Sequence, residues 1–318
     1  MKVLFVGPYP PPHGGISVHV WSANALMKQA GHQSTVLNID TRAPVSKEYI
    51  KISGAADLLK ELIRHVFNDW FLHVHTNGHN RKSWLIALIC GVAAQFGPGA
   101  TLTLHSGVAP EYLRGGPEWR RTMVRLACVL YERIVCVNQE IATALMSLGV
   151  PAQQLEITPA YVPVKPSEAS IPEDIESWMR LHSPVLSAAL FFRPEYGFEL
   201  LVRAVSILRR RYSGVGCLVM GDDENRAEAE AFIARQGVRN TMFLAGDVDH
   251  EVCLTLMSRC SVFVRPTFHD GDSISVREAM SLGIPVVASK VGTRPEGTLL
   301  FDAGDMDGLI AQIEKALV

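Results

Sequence analysis

Residues 262–289 read VFVRPTFHDGDSISVREAMSLGIPVVAS. The apolar run Val262–Val264 is short enough for a buried strand, and Pro266 and Asp270-Gly271 end it. A helical pattern opens near Ser273 and stops at Gly283, and Pro285–Ala288 is a second short apolar run. Strand, helix and strand with continuously apolar strands form the repeating unit of a parallel sheet. The backbone N–H groups of Ser273 to Ser275 lie at the predicted helix N-terminus, where free donors and partial positive charge favour phosphate. Asp270 in the loop and Glu278 on the helix are placed to accept hydrogen bonds from sugar hydroxyls on either side of such a phosphate. The plainer reading of the same residues is a capped helix beside a solvated acidic loop.

Outward from this stretch the alternation continues. Strands are expected at Lys2–Val6, Thr35–Ile39, Trp70–His75, Thr101–His105, Ile134–Asn138 and Glu156–Pro159. Helices are expected at Ser17–Gln29, Ala55–Phe67, Trp84–Gln95, Glu118–Glu132 and Gln139–Leu148, the first preceded by a Pro-rich turn and a flexible Gly14-Gly15 pair. Prolines 159, 163, 166, 172 and 184 then interrupt the pattern. Strands resume at Val185–Phe191, Gly216–Met220, Met242–Leu244, Val262–Val264 and Pro285–Ala288, with helices at Glu228–Gln236, Glu251–Ser258, Ser273–Leu282 and Asp307–Leu317. The expected fold is α/β: two Rossmann-like, doubly wound parallel-sheet domains, 1–165 and 166–318, facing a cleft across a Pro-rich hinge.

Composition agrees. A chain of 318 residues suits two domains, and 48% hydrophobic residues with 19% charged residues describe a globular protein with sizeable cores. Net charge is −2, which disfavours nucleic acid as a partner. The balance is uneven: 15 Lys and Arg against 10 Asp and Glu in 1–165, then 15 against 22 in 166–318. The six cysteines show no metal-ligand spacing and read as buried thiols of a reducing compartment. Gly7-Pro8 stops the first apolar run too early for a signal peptide, and Trp84–Phe96 is too short to span a bilayer. A cytoplasmic protein is expected, with a peripheral place at the inner face of the membrane as an alternative.

The 262–289 segment resembles the signature of retaining glycosyltransferases of family 4, which have the GT-B fold. Val219-Met220-Gly221-Asp222 is similar to that family's strand ending in Gly-Asp, and Phe243-Leu244-Ala245-Gly246 to its turn near the nucleobase. Gly7-Pro8-Tyr9-Pro10-Pro11-Pro12 with Gly14-Gly15 resembles the family's first loop, and Thr103-Leu104-His105 its strand ending in a site histidine. The resemblance implies metal-independent transfer of a hexose, with retention, from a UDP- or GDP-sugar to a glycan or lipid-linked acceptor in bacterial polysaccharide or glycoconjugate synthesis. No cofactor and no metal are implied beyond the nucleotide-sugar substrate. Glu278 would hold the ribose, Asp270 the donor sugar, and Ser273 and Ile274 the diphosphate. Gly14 and Gly15 would admit the phosphates closely, Gly246 and Val248 would line the donor site, and His105 would lie beside the sugar. His73, His75 and His79 carry no such support and read as structural, with His75 a candidate for a supporting role.

The chain departs from the family in two places. The Arg and Lys that usually neutralise the diphosphate correspond to Phe191 and Tyr196, leaving Arg193, with Lys290 or Arg294 as possible helpers. Family members also continue into a helix that crosses back to the first domain, whereas one helix precedes Val318 here. Rival readings are a nucleotide-sugar epimerase of the same fold and a non-catalytic nucleotide-sugar binder. Arg114 to Arg133, with Arg120, Arg121 and Arg125 between them, read either as a solvated helix face or as a basic membrane surface.

Overall fold

The computed structural model describes residues 1–161, 163 and 168–318. The expected boundary at 165/166 lies outside the described residues. Two compact units are present, Met1–Val162 and Pro163–Val318.

Unit 1 runs β1 (Lys2–Gly7), α1 (Gly15–Gln29), β2 (Gln33–Asn38), β3 (Ile50–Lys51), α2 (Ala55–Val66), β4 (Phe71–Thr76), α3 (Arg81–Ala94), β5 (Ala100–Leu104), α4 (Ala109–Arg114), α5 (Glu118–Val129), β6 (Arg133–Cys136), α6 (Gln139–Ser147) and β7 (Leu155–Ile157). Its strands pair in the order β3-β2-β1-β4-β5-β6-β7, all parallel. Helices cover parallel sheets on both faces, so β1 is buried throughout Val3–Val6 and reads as one apolar run. Phe5, Tyr9, Val20, Val36 and Tyr49 form one part of the core. Asn80 and Asn138 cap α3 and α6 by accepting from Ser83 N (2.8 Å) and Ile141 N (2.9 Å).

Unit 2 runs α7 (Glu173–Arg180), β8 (Val185–Ala189), α8 (Phe198–Leu208), β9 (Gly216–Met220), α9 (Arg226–Arg235), β10 (Met242–Gly246), α10 (His250–Ser258), β11 (Val262–Arg265), α11 (Ile274–Ser281), β12 (Val286–Ser289), β13 (Leu299–Phe301) and α12 (Met306–Ala316). The order is β10-β9-β8-β11-β12-β13, again parallel. Leu186, Ala188, Val202, Val205, Val262 and Val264 share its main core. Strand order reverses between β1 and β4 in unit 1 and between β8 and β11 in unit 2. Ligands of open α/β sheets bind outside the carboxyl ends of the strands at such reversals.

Several features differ from the sequence expectation, the short strands β3 and β13 among them. The Gly14-Gly15 pair is the cap of α1, which starts at Gly15: Gly14 N–H donates to Ser17 Oγ (2.9 Å), whose hydroxyl bonds to Pro12 O (2.7 Å). Helices α4, α7 and α8 were not expected. Helix α7 lies inside the Pro-rich segment, with Pro172 as its N-cap residue. The six cysteines are free thiols, five buried and Cys253 partly so.

Candidate active site

In unit 2 the reversal is occupied by the loops that follow β8 and β11. Gly197 adopts φ +70°, and a Cβ there would stand 2.0 Å from Pro266 O, so only glycine lets the two loops meet. Phe268 N–H donates to Glu195 O (2.8 Å) across the same seam. The β12–β13 loop is held as tightly: Thr293 N–H donates to Gly271 O (2.8 Å), and Gly292, at φ +61°, leaves no room for a Cβ against Asp270 O and Gly271 O.

Inside these loops lies a buried ion cluster. Arg265, the last residue of β11, donates from Nε to Asp270 Oδ2 (3.0 Å) and from Nη1 to Ala189 O (2.6 Å). Arg294 approaches the same carboxylate oxygen through Nη2 (3.1 Å), donates to Thr267 Oγ1 (3.1 Å) and to Ser289 O (3.0 Å). Burial alone would raise the Asp270 carboxyl, but the two guanidiniums outweigh it and hold it below the usual carboxylate value. One carboxylate against two guanidiniums leaves the cluster with one net positive charge. The Arg265 guanidinium lies 5.3 Å from the Tyr196 ring centroid, at the position where the sequence lacks the family lysine. Arg265 was missed in the sequence because it closes an apolar strand run; an arginine at the carboxyl end of a buried strand was the available signal.

The other expected residues take the following places. Arg193 is half-exposed, with Nε 3.6 Å from Asp223 Oδ2 and its guanidinium over Phe191. Lys290 is exposed. Ser273 is the N-cap of α11, its Oγ accepting from Val276 N (3.4 Å), which leaves the N–H groups of Ser273, Ile274 and Ser275 outside the helical ladder. Glu278 is buried on α11 and its Oε1 bonds to His250 Nε2 (2.6 Å), a partner 28 residues distant that the sequence did not single out. Gly246 ends β10 at φ +78°, and its carbonyl accepts from Gly221 N (2.8 Å). Val248 packs in the apolar cluster of Ile175, Met220 and Leu256.

In unit 1 the reversal gathers histidines. His75 on β4 packs against Gly7, where a Cβ would come 3.1 Å from the His75 Cβ. His75 Nδ1 lies 3.0 Å from His105 Nε2, just beyond β5, and the His19 ring of α1 stands 5.2 Å and 5.1 Å from those two rings. His73 bonds through Nε2 to Thr103 Oγ1 (2.8 Å), and His79 through Nδ1 to Ser106 Oγ (2.7 Å). Burial first, and then the neighbouring imidazoles, push His75 and His105 well below the ordinary histidine value and His73 down to about 3. Gly14 has an ordinary extended backbone, φ −102°, while a Cβ on Gly15 would enter open space.

Residues 184–318 match the family model of "Glycosyl transferases group 1". The chain is similar to the 2-deoxystreptamine glucosyltransferase of Streptomyces kanamyceticus, 26% identical over 79% of this chain and 70% of that protein. It is also similar to the MMP alpha-(1->4)-mannosyltransferase of Mycolicibacterium hassiacum, 24% identical over 63% of this chain and 51% of that one. Among solved structures, HepE of Anabaena in complex with UDP-glucose has a TM-score of 0.73 at 18% identity, covering 100% of this chain and 90% of that one. Sucrose-phosphate synthase of Thermosynechococcus elongatus has a TM-score of 0.74 at 18% identity, with the same coverage. At such identities the structural likenesses carry the fold, two parallel-sheet α/β units of the GT-B class.

Proposed function

On the premise that this chain is a glycosyltransferase of the group 1 type, residues 184–318 belonging to that family, we propose that it moves a hexose, with retention, from a UDP- or GDP-sugar to a glycan or lipid-linked acceptor. Bacterial polysaccharide or glycoconjugate synthesis is the setting this reading suits. The carrying observation is the pairing, at the β8/β11 reversal, of the α11 N-terminus with a buried cluster of net charge +1. The diphosphate leaves as an anion, and its departure needs fixed donors aimed at the developing charge. The first-turn N–H groups of α11 and Arg193 supply donors. Arg265 and Arg294 supply the charge for which the family otherwise uses residues at positions 191 and 196. Asp270 holds both guanidiniums and contacts the donor sugar, Glu278 holds the ribose, and Gly246 and Val248 border the nucleobase. In a front-face reaction the leaving phosphate takes the acceptor proton while the new C–O bond forms on the same face. No metal or cofactor takes part in this scheme. UDP and UDP-glucose in the HepE structures favour a uridine donor.

Helix α5 supports a peripheral place on an anionic membrane. It exposes Trp119, Leu126 and Val129 at 53%, 57% and 77% beside Arg120, Arg121 and Arg125, while Glu118 lies within ion-pair distance of two of those arginines. No helix among the described residues is long and apolar enough to cross a membrane.

A thermal-shift screen with UDP, GDP, ADP and their sugars tests the donor site. A ligand at about 100 times its Kd stabilises by about 2.7 kcal/mol. Stabilisation by a uridine or guanosine diphosphate is expected, and no shift with any of them overturns the reading. Interconversion of two UDP-sugars without acceptor would replace transfer by epimerisation.

A further inference from the structure

Three histidines far apart in the chain converge at the carboxyl end of the unit 1 sheet. Each of His19, His75 and His105 presents a ring nitrogen, and the three lie within 4.8 Å of one another. A divalent ion such as zinc binds imidazole nitrogens at about 2.0–2.1 Å, which places tetrahedral ligand atoms roughly 3.3–3.4 Å apart. The His75–His105 nitrogen pair, at 3.0 Å, is already close to that spacing. His19 is half-buried, so it borders the way in.

One further observation points to a ligand. His19 Nδ1 lies 2.5 Å from Ala160 O. A carbonyl only accepts, so Nδ1 carries the proton and the lone pair of the neutral ring is on Nε2. Metal-bound histidines are held in this way, the second nitrogen donating to a backbone carbonyl. Behind the trio, His73 packs against His75 with ring centroids 4.2 Å apart and is itself bonded to Thr103.

We propose that His19, His75 and His105 form a binding site for one divalent transition metal of the imidazole-preferring class, zinc, copper, nickel or cobalt, with a fourth position open to solvent or a ligand. Three neutral nitrogens without a carboxylate or thiolate suit these ions over magnesium or calcium, which take oxygen ligands. The site shares His105 with the sugar contact that the family resemblance implies, and binding is measured without sugar donor or acceptor, so failure of this proposal and failure of the transfer reading are distinguishable.

The test uses the untagged full chain, stripped with chelator and titrated with Co(II), whose d–d absorption reports ligation directly. One equivalent is expected to produce visible bands, and Zn(II) is expected to displace it. His19→Gln, a half-buried position, should lower the affinity at least tenfold with an unchanged melting curve. His105→Asn should do the same, and His269→Gln, an exposed control, should change nothing. Absence of the bands in the wild type overturns the proposal. So does an affinity unchanged in His19→Gln, or one lowered equally in His269→Gln, because the ion would then be held by exposed histidines.

Discussion

Asp270→Asn removes the single anion that separates two buried guanidiniums while keeping size and shape. The side chains of Arg265, Asp270 and Arg294 are 11%, 11% and 4% exposed, so water screens them little. At the 3.0 Å of the Arg265–Asp270 contact, an effective dielectric constant of about 20 gives roughly 5.5 kcal/mol of gross attraction. Repulsion between the arginines and the desolvation of three ions consume much of this. Stranding two cations by removing their partner is expected to cost about 3–5 kcal/mol. Replacing all three together, as Arg265→Met, Asp270→Leu and Arg294→Met, should cost about 1 kcal/mol or less, because no buried charge is then left unpaired.

Urea unfolding followed by fluorotryptophan NMR isolates the effect, since Trp178 is the one tryptophan of residues 163–318. The folded Asp270 carboxyl is depressed, so its stabilisation is present above the unfolded value of about 3.9 and is lost as pH falls through the folded value. The gap between wild type and Asp270→Asn should therefore be level from about pH 7 to 5 and narrow below about 4. A loss under about 1 kcal/mol at pH 7, or a gap that widens on acidification, refutes the reasoning.

Other perturbations have equally definite outcomes. Gly197→Ala must hold alanine at φ +70° with its Cβ against Pro266 O, and should lower the melting temperature of unit 2 by at least about 5 °C. Gly237→Ala, at φ +68° in open space, should cost only about 1–2 kcal/mol in the same melt. Glu278→Ala removes a buried acceptor and, in the proposed site, the ribose contact; calorimetry with UDP-sugar should show a Kd raised about 10- to 150-fold. Trp119→Ser with Arg121→Glu should weaken sedimentation with anionic vesicles by about tenfold or more and leave neutral vesicles unaffected on the charge component.

The sequence reading succeeded where burial is two-sided. Strands β1, β4, β8, β9 and β11 are largely apolar runs because helices cover both faces, and each was legible. Helix α8 was not, since its sequence FELLVRAVSIL is apolar on most sides and β-branched in places, and its N-cap Gly197 provides no side-chain bond. Helix α7 was hidden among prolines, one of which starts it. In the site, Asp270, Ser273 and Glu278 stood out because the loop and helix that carry them are contiguous. Arg265, the Glu278–His250 pair and the histidine trio did not, because their partners meet only through strand order. His75 and His105 meet because β4 and β5 are neighbours, and that order is not written in any local spacing.

The buried cysteines have a practical consequence. Burial pushes the thiols of Cys90 and Cys136 up to about 12 and that of Cys260 to about 11, and raises Cys128, Cys217 and Cys253 as well. Thiolate is the reactive form, so at neutral pH all six are nearly silent toward maleimides and mild oxidants. A cysteine introduced on the surface, for instance at Lys60 or Lys315, therefore becomes a selective handle on an otherwise native chain. One dye on each unit, attached at such positions, would let fluorescence transfer between single molecules follow the two units during turnover, without first stripping the native sulfur from either core.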